Sequence, residues 1–128
     1  MTEDLMGYNQ IVENALKGVV REALTRAAAV GLPGDHHFYI TYRTDAPGVK
    51  VPRSLRAQYP EEITIVVQHQ FWDLVIDQES FSVSLSFAGK KEHLEVPFGA
   101  ITGFADPSVQ FGLQFKADQT SINENLHD

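Results

Sequence analysis

Apolar positions in the first quarter of the chain recur at helical spacing. Ile11, Ala15, Val19, Ala23 and Ala27 form one i+4 ridge, and Val12, Leu16, Val20, Leu24 and Ala28 form the ridge beside it. This predicts a helix from about Met6 to Val30. Glu13 with Lys17 and Glu22 with Arg26 are i,i+4 pairs of favourable polarity for its solvent side. The end is marked by Gly31, Leu32 and Pro33, since glycine supplies a left-handed residue and proline forbids continuation. Thr2, Asp4 and Asn9 are each able to cap the start. Two adjoining ridges make a stripe broader than docking on one small sheet requires. Either the whole stripe covers the domain's own sheet, or part of it pairs with the same helix of a second subunit. The expectation adopted is the homodimer, the commonest oligomer, with Ile11, Leu16, Val19, Val20 and Ala23 at the contact. Gly18 costs about 1 kcal/mol relative to alanine in a helix, and its flat surface would let another backbone come close.

Beyond Leu32-Pro33-Gly34 the period changes to two. His37, Tyr39 and Thr41 alternate with Phe38, Ile40 and Tyr42, the pattern of a half-buried strand. Asp45-Ala46-Pro47-Gly48 is a turn, Val49 to Pro52 is briefly extended, and Pro52 to Tyr59 reads as a short helix closed by Pro60. Ile63, Ile65 and Val67 then alternate with Thr64, Val66 and Gln68, leading into the cluster Gln68-His69-Gln70-Phe71-Trp72. Leu74-Val75-Ile76 either continues that strand or forms a short one of its own. The cleanest alternation follows, with Phe81, Val83, Leu85 and Phe87 inward and Ser82, Ser84 and Ser86 outward. Serines on one face leave room above a strand, as a groove floor would. A turn at Ala88 to Lys91 returns the chain through Leu94, Val96 and Phe98. A helical turn at residues 97–101, an extended stretch at 102–105 and a strand carrying Val109, Phe111, Leu113 and Phe115 complete the pattern.

One helix followed by six or seven short strands predicts a mainly β domain, a small SH3- or Sm-like roll or barrel with the helix against it. Its parts are a helical dimerisation segment (1–34), a β-rich peptide-binding core (35–116) and a loose polar tail (117–128). The length of 128 residues suits one such domain with a core of its own. Composition narrows the partners. The net charge of −7, with a pI near 5.1, repels phosphate, and the basic residues form no patch, so nucleic acid is not the expected partner. The acidic start MTEDLMGYNQ lacks the basic and apolar regions of a signal peptide. No apolar run approaches the length needed to cross a bilayer. With no cysteine there is neither a disulfide nor a thiolate metal site, which fits a reducing cytoplasm. The expectation is a soluble cytoplasmic protein with no membrane partner.

Catalytic and metal-binding patterns are weak. His36 and His37 are adjacent and point to opposite faces of a strand, while His69 and His93 stand alone. There is no G-x-S-x-G elbow and no glycine-rich phosphate loop. The expectation is a binding module without catalysis, metal or cofactor. Gln68, His69, Gln70, Phe71 and Trp72 are better suited to holding an extended peptide. An open strand edge bonds the guest's main chain, glutamines both donate and accept, and rings supply contact area. The competing possibility is a strand end whose rings cap the core.

The segments Asp45-Ala46-Pro47-Gly48-Val49-Lys50-Val51-Pro52, Phe81 to Gly89 and Val96-Pro97 resemble the stringent starvation protein B family, SspB. The order of elements from about His37 to Phe115 follows that family. Gln68-His69-Gln70-Phe71-Trp72-Asp73 is similar to its divergent branch. The resemblance implies a dimeric adaptor that binds ssrA-tagged proteins and delivers them to the ClpX ATPase of the ClpXP protease. It implies a peptide groove on Gln70, Phe71, Ser84, Leu85, Ser86 and Phe87 and on the loop around Val51 and Leu55, with His69 and Trp72 adjacent. An Sm- or SH3-like nucleic-acid-binding barrel is the alternative. One departure stands out: residues Ser121 to Asp128 do not look like the ClpX-docking peptide of that family. A chain with this end is expected to bind tags but deliver them poorly, because delivery depends on tethering.

Overall fold

A computed structural model describes residues 3–116. The tail at 117–128 and the candidate cap Thr2 lie outside the described residues. Helix α1 spans Tyr8–Val30, beginning two residues later than the apolar ridges suggest. Asp4 supplies the cap from the turn before it: its Oδ1 accepts from Gly7 N at 3.0 Å and its Oδ2 from Tyr8 N at 2.7 Å. At the other end Gly31 takes a positive φ of 81° with ψ −176°, an extended rather than a left-handed helical conformation, and its N–H bonds the Ala27 carbonyl at 2.8 Å.

Seven strands follow: β1 (Phe38–Arg43), β2 (Glu62–Val67), β3 (Phe71–Ile76), β4 (Ser80–Phe87), β5 (Lys90–Pro97), β6 (Ile101–Asp106) and β7 (Phe111–Gln114). A short helix α2, Arg53–Gln58, lies between β1 and β2. The strands form two antiparallel sheets, one in the order β2-β1-β6-β7 and one in the order β3-β4-β5. The result is a single small, mainly β domain of roll or barrel type with one long helix. Period-two burial builds its core. Ile63, Ile65 and Val67 of β2 and Phe81, Val83 and Leu85 of β4 are buried, with Phe38, Ile40 and Tyr42 of β1 and Leu94 and Val96 of β5. Helix α1 packs on β3 and adds Val20, Leu24 and Ala27 to the same core, with Leu16 and Ala23 half-buried at its margin.

Two readings of the helix change. Val20 is wholly buried within the protomer, so it packs on its own sheet and is not available to a partner helix. Lys17 is buried as well, because three- and seven-residue spacings put it in line with Val20 and Leu24; Glu22–Arg26, at 3.0 Å, is a solvent-side pair. The exposed apolar stripe is Tyr8, Ile11, Val12, Ala15 and Val19, rotated away from the core face.

The stretch from Ile63 to Ile76 is two strands in different sheets. Gln68, His69 and Gln70 form the bend between them, and Leu74, Val75 and Ile76 complete β3. Trp72 lies opposite Ser84 in the register that Phe71 sets. A bulge between Trp72 and Val75, with Asp73 at φ 54°, then shifts the pairing by one residue, so that Val75 lies opposite Ser82.

Tyr42 is fully buried and its hydroxyl has no hydrogen-bond partner, and burial pushes its ionisation well above the ordinary tyrosine range. An unpaired buried hydroxyl carries a desolvation cost of about 1–3 kcal/mol. Tyr42→Phe is therefore expected to raise unfolding stability by about 1 kcal/mol in urea titrations, against the usual trend of core substitutions.

Candidate functional site

Strand β2 is an edge of the four-stranded sheet, and β3 is an edge of the other. Because β3 begins at Phe71 opposite Leu85, the last residues of β4 run past it. Ser86 and Phe87 pair with Lys91 and Lys90 of β5 on one side and have no β3 residue on the other. Between this overhang and the free edge of β2 lies a cleft of about 490 Å³. Thr64, Ile65 and Val66 line one wall, Gln68, His69 and Gln70 close the end, and Leu85, Ser86 and Phe87 line the opposite wall.

The chemistry of these walls suits a main chain. An edge strand presents alternate N–H and C=O groups that its own sheet does not satisfy. Two glutamine amides add donors and acceptors at the closed end. Val66, an exposed aliphatic residue, and half-buried Phe87 offer apolar contact beside them. Among the described residues no Lys, Arg, Asp or Glu lines the cleft, so what it offers is hydrogen bonding and shape.

Of the residues proposed from sequence, the cleft brings together His69, Gln70, Leu85, Ser86 and Phe87. It does not bring in the others. Phe71 faces inward beside Leu85 and packs half-buried against the core. Trp72 lies on the outer face of the three-stranded sheet, where the Lys91 ammonium sits 4.8 Å from its ring centroid. Leu55 is buried in the core and Val51 is half-buried against it. Ser84 corrects the groove-floor picture: it is buried, and its Oγ bonds His93 Nδ1 at 2.8 Å. The large residues flanking it across the sheet, Trp72 and His93, take up the room that a small side chain would leave. Thr64, Ile65 and Val66 are missing from the sequence-based set. Their signal was an exposed valine between threonine and glutamine on a strand that only the topology reveals as an edge.

One histidine does meet an acid and a serine. His36 Nδ1 lies 2.6 Å from Asp106 Oδ2, Ser108 Oγ lies 2.6 Å from Asp106 Oδ1, and Ser108 N bonds the same Oδ1 at 3.1 Å. Burial pushes the Asp106 carboxyl up, but hydrogen bonds from the Ser108 hydroxyl, His36 and the Ser108 and His37 backbones outweigh it and hold the group down at about 2. An ionised carboxylate only accepts, so both Nδ1–H and the serine hydroxyl donate to Asp106. In a catalytic triad the serine meets the ring nitrogen opposite the acid. Here Ser108 is beside the same nitrogen, at 3.4 Å, and its proton goes to the acid. The cluster is a clamp joining the approach to β1 with the turn after β6. Since its folded pKa is depressed, the clamp contributes fully above the ordinary carboxylate range and is lost as pH falls from about 4 towards 2. Asp106→Asn is expected to cost on the order of 2 kcal/mol at neutral pH and to flatten the acid limb of stability, read by denaturant titration across that range.

Among the described residues no helix is long and apolar enough to cross a membrane. The described residues form a seven-stranded two-sheet domain with an open edge beside a cleft. Residues 10–128 match the profile of SspB, stringent starvation protein B, and the chain belongs to that family. It is a family of non-catalytic adaptors in protein degradation. No curated protein matches the chain.

Proposed function

We propose that this chain binds the ssrA degradation tag as an extended peptide in the cleft between β2 and β4. The observation that carries the reading is the free β2 edge facing the β4 overhang across an uncharged cleft closed by Gln68 and Gln70. A tag rich in Asn, Asp and Ala would add its main chain to the edge and exchange amide hydrogen bonds with the glutamines. Tagged proteins held there are delivered to ClpX of ClpXP, which places the protein in the cytoplasm. The adaptor is a homodimer joined through the exposed stripe of α1, with Ile11 and Val19 at its centre and Leu16 and Ala23 at its margin. The absence of Lys and Arg among the described residues of the cleft lining and the net charge of −7 oppose the nucleic-acid alternative.

Fluorescence anisotropy with a labelled ssrA-tag peptide tests this. Saturable binding, weakened roughly fivefold by Gln70→Ala (about 1 kcal/mol for one hydrogen bond), is the expected result. An equal affinity for a scrambled peptide of the same composition would overturn it.

A further inference from the structure

A second pocket, of about 250 Å³, lies at the opposite end of β3 and β4 from the cleft. Asn14, Lys17 and Arg21 of α1 form one wall, and Gln78 and Glu79 of the β3–β4 turn form the other, with Phe98 at its base. On the helix, Asn14 and Arg21 lie two turns apart, on the flank away from the exposed apolar stripe. The Arg21 guanidinium carbon is 5.2 Å from the Phe98 ring centroid. Its Nη1 lies 3.9 Å from where a Cβ on Gly18 would stand. The side chain is thus folded back along the helix, with its guanidinium between the ring and the bare glycine surface.

Arg21 Nε is buried and has no hydrogen-bond partner. A buried donor on a charged group is costly to leave unmet. Stacking a guanidinium on an aromatic ring keeps its N–H groups in their plane, the geometry in which arginine grips carboxylate or phosphate. The amides of Asn14 and Gln78 add neutral donors. Glu79 is the one acid among the described residues of the wall.

We propose that this pocket is an oxyanion site, built to take one phosphate or carboxylate group on the Arg21 fork with the Asn14 and Gln78 amides around it. The occupant would tie α1 to the β3–β4 turn. Because the pocket and the cleft share no residue, this site stands or falls independently of tag binding.

The test is an NMR titration of the wild-type protein that follows the Arg21 side-chain Nε–H resonance. Inorganic phosphate is the first probe, acetate the second, and sodium chloride of equal ionic strength the control. The expected result is a saturable shift of Arg21 Nε–H, together with the backbone amides of Gln78 and Glu79, that chloride does not reproduce. Saturation by phosphate alone assigns a phosphate ligand, and saturation by acetate as tightly or more tightly assigns a carboxylate. Arg21→Lys keeps the charge but not the fork, and should remove saturation at Gln78 and Glu79 while leaving tag-peptide affinity unchanged. A shift linear in all three salts would overturn the proposal. Saturation that survives in Arg21→Lys would overturn it equally.

Discussion

Ser86→Trp is expected to reduce ssrA-tag affinity at least about 100-fold, a loss of about 2.7 kcal/mol, with little change in stability. Ser86 is exposed on the β4 overhang, where it lines the cleft and faces Lys91 of β5 across the ladder. An indole there would occupy the space between β4 and the β2 edge that a guest main chain needs, while leaving the core side of β4 untouched. Ser84→Ala is the matched control. It removes the bond to His93 on the same face of the same strand, two residues away, but touches no wall of the cleft. Peptide anisotropy on both variants, with urea titrations alongside, separates blocking from unfolding. Equal peptide affinities for Ser86→Trp and the wild type would move the guest elsewhere.

The second large effect concerns α1. The double substitution Val12→Asp with Val19→Asp is expected to convert a homodimer into a monomer at micromolar concentration, read by sedimentation velocity. Both side chains are exposed, at 54% and 41%, so the protomer's own core does not use them. A two-fold contact through this stripe would bury four carboxylates without partners. Each buried, unpaired charge costs several kcal/mol. Gly18→Ala sharpens the test. Within the protomer, an added methyl group meets only Arg21 Nη1, at 3.9 Å, so helix propensity alone should raise protomer stability by about 1 kcal/mol. If a partner backbone crosses at Gly18, the same methyl group weakens association. A double variant that still sediments as a dimer would place the dimer contact away from this stripe.

The sequence made the elements legible wherever burial is strictly periodic. Phe81, Val83 and Leu85 alternate because one face of β4 meets the core and the other does not. The helix stop at Gly31 was legible for a local reason, a glycine able to take positive φ with Pro33 two residues on. Tertiary placement was not. Nothing in Ile63 to Ile76 says that the chain changes sheets at Gln68–Gln70, since both strands carry apolar residues of similar character. Nor does the pattern show that β2 is an edge, which is why Thr64, Ile65 and Val66 escaped notice as cleft residues. Trp72 sits on the outer surface beside Ser84 and Lys91 because it alternates with inward-facing Phe71, and which of the two rings faces inward was not legible without the strand pairing. Ser84 looked open because small side chains leave space, but in a sheet that space belongs to whatever flanks it, here Trp72 and His93. The two apolar ridges of α1 were read as one broad stripe, but the border between core and solvent cuts across a ridge. Val20 belongs to the core, while Val12, on the same ridge, is exposed.

The central claim is that the guest lies between the β2 edge and the β4 overhang. Backbone amide shifts of the isotopically labelled protein, followed as unlabelled ssrA-tag peptide is added, test it most directly. The account predicts saturable shifts at residues 64–70 and 85–87, with the indole N–H of Trp72 unmoved. Shifts centred on Trp72, Lys91 and His93, with residues 64–66 unchanged, would contradict it and put the peptide on the outer face of the three-stranded sheet.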